Sequence, residues 1–536
     1  MKPTYDAVVI GSGFGGAITA CRIAEAGHSV CILERGKRWP KEKFPRTTGQ
    51  VAHAFWNERD YGFIDYDVFR NIDVIRASGV GGGSLVYFNV HLWAPKEIFE
   101  QREWPKSITL DSLTPYYERA KAMLEAKPLT PPEGRLMPPR TLAYQKAATR
   151  AQKDPRLVDI AVYTGPDRNN PYGGVPQSAC VYCGNCMLGC HVHAKNTLDL
   201  NYIPLAEKHG AEVFPLHIVD KIEPLDSTGK GGYRVYFREL NIDRKHNERK
   251  GEVIGKKVIV AAGTLGSAEI LLRSKQQGTL SNLGAMLGRR FSGNGDFLLA
   301  GTYNSKFKDK DDINPRDVDP VVGPSITAGA DFSTADNHIF IEDLGFPDPF
   351  MWFLEGTLPT TARLRDIFRF FGVYLLRSLG LTSTTPANAS VGDILRGGIT
   401  PKFLPYLGMG TDAADGELRL SGDDIDIKWS HSKSRRMFKE MEDGLRALSA
   451  GIKGDYRTSP LWAWPIRKLV TAHPLGGCVM NDNASQGVVN EWGEVWGHPN
   501  LYVADGSIIP TALSVNPSAT IGALAERIGE HIVQTW

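Results

Sequence analysis

The chain has 536 residues, well beyond the ~100–200 of one ordinary domain, so two lobes or an interrupted domain are expected. Lys plus Arg total 62 against 60 Asp plus Glu, a formal charge of +2. That balance argues against a nucleic-acid binder, whose footprint is a strongly basic domain. The 42% hydrophobic and 23% charged fractions exclude disordered and fibrous classes.

The first apolar run, Ala7–Ile10, is too short for a signal-peptide core. No stretch reaches the ~18–20 apolar residues of a membrane span. A cytoplasmic, reducing location is therefore the expectation. There, clustered cysteines read as metal or redox chemistry before disulfides.

Ala7–Ile10 predicts a strand, followed by Gly11-Ser12-Gly13-Phe14-Gly15-Gly16 and a helical pattern carrying Ala17, Ala20, Ile23 and Ala24. A second apolar run, Ser29–Leu33, ends at Glu34, with Arg35 beside it. Gly11 permits the sharp turn, Gly13 lets the backbone approach a pyrophosphate, and Gly16 lets helix and strand pack closely. The helix N-terminus offers unpaired N–H groups to phosphates. Glu34 is placed to accept ribose hydroxyl hydrogens. This strand–turn–helix–strand–acid order predicts a dinucleotide site, without separating FAD from NAD.

Val74–Val90 reads VIRASGVGGGSLVYFNV, a glycine-rich loop through Gly79, Gly81, Gly82, Gly83 and Ser84. Cys180, Cys183, Cys186 and Cys190 then follow the C-x2-C-x2-C-x3-C spacing of bacterial ferredoxins, although His191 stands where those have proline. Spacing leaves open an iron–sulfur cluster, a zinc site, or thiols without metal or paired as disulfide. Cys21 and Cys31 fall in the nucleotide fold and read as core thiols. Lys257–Ser274, KVIVAAGTLGSAEILLRS, carries Ala262 and Gly263.

Residues 300–465 hold no nucleotide motif and are the expected substrate lobe. IFIEDLGFPDPFMWFLEG supplies two acids, Glu342 and Glu355. Residues 306–319 read as a solvated loop. Residues 361–381 show helical apolar spacing flanked by arginines, a pattern for a lid over a cavity or for peripheral membrane contact. Residues 416–427 predict a hairpin and 433–448 an amphipathic helix. The last segments are TAHPLGGC at 471–478, NLYVADGSIIP at 500–510 and VNPSATIGALAERI at 515–528.

These motifs, in this order, resemble the glucose–methanol–choline (GMC) family of FAD oxidoreductases, and most of all its cholesterol oxidases with non-covalent FAD. The resemblance implies an α/β fold: a Rossmann-type FAD-binding domain assembled from discontinuous segments, plus an α+β substrate domain with an antiparallel sheet and covering helices. The expected divisions are 1–125 and 180–299 for the first two FAD parts, the second including the cysteine-rich loop. Residues 126–179 would connect them, 300–464 bind substrate, and 465–536 complete the FAD domain.

The resemblance also implies roles. Gly79, Gly82, Gly83 and Ser84 would lie against the flavin, and Asp505, followed by Gly506, would meet its ribityl chain. Asn516 and Pro517 would open a helix whose positive end faces the flavin. His473 and Asn516 match the family's active-site pair, one taking the alcohol proton and one holding its oxygen. Some cholesterol oxidases also shift a double bond with a carboxylate, a role open to Glu342 or Glu355. Tyr87-Phe88-Asn89 departs from the Asn-Gly-Gly of the family's cholesterol oxidases, and its larger side chains would reshape the pocket. Some multisubunit relatives carry an iron–sulfur cluster at this cysteine-rich segment. The expected reaction is oxidation of a hydrophobic, 3-hydroxysteroid-like alcohol, with dioxygen or, through a cluster, a redox partner as acceptor. A long-chain alcohol or polyol dehydrogenase, and a flavin electron-transfer module, are the alternatives.

Overall fold

In the computed structural model, residues 1–57, 60–240, 248–303, 318–350, 403–459, 461–462 and 467–536 are described. Glu355, the 361–381 helical pattern and nearly all of the 306–319 loop lie outside them.

Thr4–Ile10 is a strand whose last four residues are all buried. It pairs in parallel with Val30–Leu33 on one side and with Arg249–Val260 on the other. Glu212–Phe214 extends the parallel edge beyond Val30–Leu33, and Leu501–Val503 pairs in parallel with Val258–Val260. Strands covered on both faces need near-continuous apolar runs, which explains AVVI, VCIL and LYV. Tyr233–Glu239 and His217–Pro224 continue the sheet antiparallel. One seven-stranded sheet thus unites segments hundreds of residues apart.

Helices Phe14–Glu25 and Ser518–Gln534 pack together over this sheet. Arg22 Nε lies 2.6 Å from Glu526 Oε2, and Tyr202 donates its hydroxyl to Glu526 Oε1 at 2.6 Å. The Glu526 side chain is fully buried, so this charge is tolerated only because it is paired. Cys21 and Cys31 are buried free thiols, as expected of core positions.

The second lobe is a six-stranded antiparallel sheet. Its order is Asp455–Arg457, Phe297–Tyr303, Phe403–Gly410, Ile339–Asp343, Ala328–Asp331 and Arg156–Leu157. Helices Pro139–Arg150 and Arg435–Gly451 cover it. The latter buries Met437, Phe438, Met441, Leu445 and Leu448, the i, i+3, i+4 stripe that its sequence displays. Arg140 and Asp343, both fully buried, pair at 3.1 Å between helix and sheet.

The hairpin forms as Gly416–Ser421 and Asp424–Lys428. It joins Arg289–Phe291 and packs on helix Gly263–Gln276, not on the six-stranded sheet. No helix among the described residues is long and apolar enough to cross a membrane.

Candidate active site

The glycine turn behaves as its chemistry demands. Gly11 has φ +98, and Gly16 approaches Gly11 so closely that a Cβ would sit 2.0 Å from its carbonyl oxygen. A Cβ on Gly15 would lie 1.5 Å from the Ala504 oxygen. Gly13 differs: the nearest atom to a Cβ there is 3.9 Å away, and the residue borders a cavity. The helix beginning at Phe14 has no side-chain cap. Its first-turn N–H groups lack intrahelical partners and lie at the same cavity.

That cavity has a volume of about 1190 Å³. A pocket for one drug-sized ligand is roughly 300–1,000 Å³, so this cavity is large enough for a dinucleotide. Gly11, Gly13, Phe14, Gly15, Glu34 and Arg35 line one region. Gly82, Gly83, Ala262, Gly263, Asp505, Gly506, Asn516 and Pro517 line another, and His473 is among the lining residues. Gly83 and Gly263 face space with no atom within 4 Å of an added Cβ. Uncapped N–H groups, bare glycines and this volume fit FAD.

Several anchors are already engaged by the protein. Glu34 Oε2 accepts Ser12 N at 3.0 Å and Ser12 Oγ at 2.7 Å, while Oε1 accepts Gly36 N at 2.8 Å. Burial pushes the Glu34 carboxyl up, and these donors oppose the shift. Asp505 accepts Gly263 N at 2.9 Å and Ser507 N at 2.8 Å, tying the 257–274 and 500–510 segments together. Arg35 pairs with Asp65 at 2.6 Å and stacks over Trp56. Gly16, Gly79 and Ser84 do not line the cavity. Gly79 packs against Leu85, and Ser84 Oγ accepts Leu198 N at 3.0 Å, so these two shape the loop from behind. Tyr87 and Phe88 do line it, with the Tyr87 ring edge-on to Phe14.

His473 Nδ1 lies 2.8 Å from Asp296 Oδ1. Asn516 Nδ2 donates to Glu342 Oε2 at 3.3 Å. Burial pushes the Glu342 carboxyl well above the usual carboxylate range; the Asn516 bond opposes this, and Asp343 and Asp296 add to it. Glu342 is fully buried and is not a cavity-lining residue.

Sequence reasoning missed Asp296 and the turn before it. Asn294 Oδ1 accepts Leu513 N at 2.7 Å and Ser514 N at 3.1 Å, and Asn294 Nδ2 donates to Val515 O at 2.9 Å. The turn at 292–296 thereby holds both the His473 and the Asn516 segments. Its only trace in the sequence is the run Ser292-Gly293-Asn294-Gly295-Asp296, which matches no chemical motif.

Cys180, Cys183, Cys186 and Cys190 carry free thiols, with Cys183 exposed. Among the described residues no three His, Cys, Asp or Glu side chains form a metal-holding group. The iron–sulfur and zinc expectations therefore gain no support from the fold, and neither does a disulfide. The physical reason lies in how the loop is held. Cys190 Sγ accepts Lys195 N at 3.4 Å, and Lys195 Nζ donates to the Leu85 and Cys186 carbonyls at 2.8 and 2.7 Å. Burial holds the Lys195 ammonium down to about 8, and nearby Cys186 and Cys190 oppose the shift.

The chain resembles known proteins along nearly its whole length. It is 28% identical to a cholesterol oxidase of Acinetobacter baumannii over 98% of this chain and 94% of that one. It is 29% identical to a cholesterol oxidase of Mycobacterium tuberculosis over 98% of this chain and 91% of that one. A long-chain-alcohol oxidase of Arabidopsis thaliana is 24% identical over 99% of this chain and 67% of that one. The structure of a fungal aryl-alcohol oxidase superposes with a TM-score of 0.62 at 15% identity, covering 100% of both chains, a likeness of fold. GMC oxidoreductase profiles match residues 5–289 and 413–525. Carrying that family's two matched segments on its α/β nucleotide-binding fold, the chain belongs to the GMC oxidoreductases, FAD enzymes that act on the CH–OH group of alcohols.

Proposed function

We propose that this enzyme oxidises the secondary hydroxyl of a hydrophobic, 3-hydroxysteroid-like alcohol to the carbonyl. The observation that carries the reading is the shared cavity: His473 and Asn516 border the same space as Leu298, Leu344, Phe346, Leu461 and Val470. An apolar wall beside a polar pair suits a large apolar substrate with one hydroxyl. The cholesterol oxidases and long-chain-alcohol oxidase above support the same substrate class, and their names support dioxygen as acceptor.

When bound, FAD supplies the hydride acceptor. His473 takes the hydroxyl proton at Nε2. Asn516 spends one amide hydrogen on Glu342 and keeps the other for the alcohol oxygen. Glu342, behind Asn516 and outside the cavity lining, positions that amide; in this reading it is not a base on the substrate. The N-terminus of helix Ser518–Gln534 faces the cavity through Asn516, Pro517 and Ser518, so its positive end favours charge gained there.

The test is anaerobic bleaching of the enzyme's flavin by sterols, long-chain aliphatic alcohols and sugars. Sterols are expected to bleach it fastest. Bleaching by sugars alone would sink the proposal.

A further inference from the structure

We propose that Asp296 is a positioning residue for the alcohol-oxidation step, holding His473 in the one tautomer that leaves Nε2 free to accept a proton. The inference rests on the assignment of His473 made above and adds a residue 177 positions away in the chain.

The geometry is specific. Asp296 Oδ1 lies 2.8 Å from His473 Nδ1, and the Asp296 side chain is 1% exposed. A carboxylate oxygen accepts, so Nδ1 carries the hydrogen and Nε2 presents its lone pair. The other oxygen, Oδ2, accepts Ala472 N at 2.9 Å and lies 2.9 Å from Thr471 Oγ1. Both donors belong to the residues just before His473, so the carboxylate is gripped by the segment that it orients. His473 N in turn donates to Thr471 Oγ1 at 2.9 Å, closing a ring around the histidine's backbone and side chain.

The turn carrying Asp296 is itself fixed. Asp412 accepts Ser292 Oγ at 2.7 Å, Gly293 N at 3.0 Å and Gly295 N at 3.2 Å. Asp296, Thr471 and Asp412 do not line the cavity; His473 and its neighbour Ala472 do. In the step itself the substrate O–H bond breaks and its proton passes to Nε2; bound FAD would supply the acceptor for the hydride that leaves the hydroxyl-bearing carbon. The buried carboxylate then faces the imidazolium, which it stabilises by charge as well as by orientation.

The test is Asp296→Asn in the holoenzyme. Ala472 N needs an acceptor, so the asparagine oxygen takes the Oδ2 place. Its NH2 then faces Nδ1, which must accept, and the imidazole hydrogen moves to Nε2, the wrong tautomer. The expected result is a fall in kcat on the order of 10³-fold, with KM, FAD content and thermal midpoint close to wild type. Unchanged kcat would overturn the proposal. So would a loss of kcat that only tracks lost FAD or lowered thermal stability, because a purely structural role predicts that.

A second measurement needs no Asp296 variant. In 15N-histidine-labelled wild-type holoenzyme, a downfield imidazole N–H proton assigned to His473 Nδ1 is expected, absent from His473→Ala. An Nε2-protonated His473 would also overturn the proposal. Failure of the underlying reading looks different: His473→Ala would then remain active, whatever Asp296→Asn does.

Discussion

Asn516 and Glu342 meet inside the protein, Nδ2 to Oε2 at 3.3 Å, and Asn516 Oδ1 and Glu342 Oε1 are both buried with no hydrogen-bond partner among the described residues. They come from opposite lobes, Glu342 from strand Ile339–Asp343 of the antiparallel sheet and Asn516 from the entry to helix Ser518–Gln534. The contact is a seam between cofactor lobe and substrate lobe.

Glu342 should make the protein's stability depend on pH in an uncommon direction. Its carboxyl is raised well above 4.5 by burial, so the fold prefers the protonated form. The unfolded chain gives up that proton near the ordinary value and the folded chain keeps it. The stabilisation is full below about 4.5 and is lost as pH rises toward the folded value, at up to about 1.4 kcal/mol per pH unit. Glu342→Gln keeps an oxygen for Asn516 and removes the titration. The variant should therefore gain on wild type between about pH 5 and about pH 8. Thermal midpoints of both proteins at those values check this, and parallel curves would contradict it.

His473→Ala should bind FAD normally and lose alcohol oxidation by about 10²–10⁴-fold in kcat. Flavin absorbance reads the first and anaerobic bleaching rates read the second. Full activity in a flavin-loaded variant would remove His473 from the chemistry.

Two glycines of one motif should respond in opposite ways. Gly13 has φ −73, a conformation open to any residue, and a Cβ there would enter the cavity. Gly13→Ala should fold normally and bind FAD more weakly. Gly15→Ala would drive a methyl to 1.5 Å from the Ala504 oxygen, and backbone must move. Its expected cost is about 3 kcal/mol or more, with loss of both lobe stability and flavin. FAD-to-protein ratio and urea midpoint separate the two outcomes.

Asp343→Ala should leave the buried Arg140 charge without its ion-pair partner, held only by the Val322 and Pro324 carbonyls. Asp343 also accepts Thr327 N at 2.7 Å and Ala328 N at 2.8 Å, so the substitution strips partners from the sheet as well. Removing one member of a buried pair costs about 3–5 kcal/mol. A urea midpoint close to that of wild type would show that the pair is not what joins helix Pro139–Arg150 to the sheet.

Much of the cofactor lobe was readable in advance, because its signals are local. Gly11, Gly13 and Gly16 each answer a steric requirement set by their immediate neighbours. Apolar runs such as Ala7–Ile10 and Leu501–Val503 announce strands covered on both faces. The stripe Met437, Phe438, Met441, Leu445, Leu448 announces a one-sided helix. The cysteine spacing was equally local, and there the local reading went unsupported. The fold spends that loop on backbone hydrogen bonds to Lys195 and does not gather its thiols into a ligand group.

The sequence by itself determined the nucleotide turn, the family, and the identities of His473 and Asn516 as candidates. Only the tertiary structure decided what stands behind them. Asp296 reaches His473 across 177 residues, and Glu342 reaches Asn516 across 174. A carboxylate's meaning depends on whether it is buried and on what faces it. Those are properties of chain closure over long separations, which no spacing along the sequence encodes.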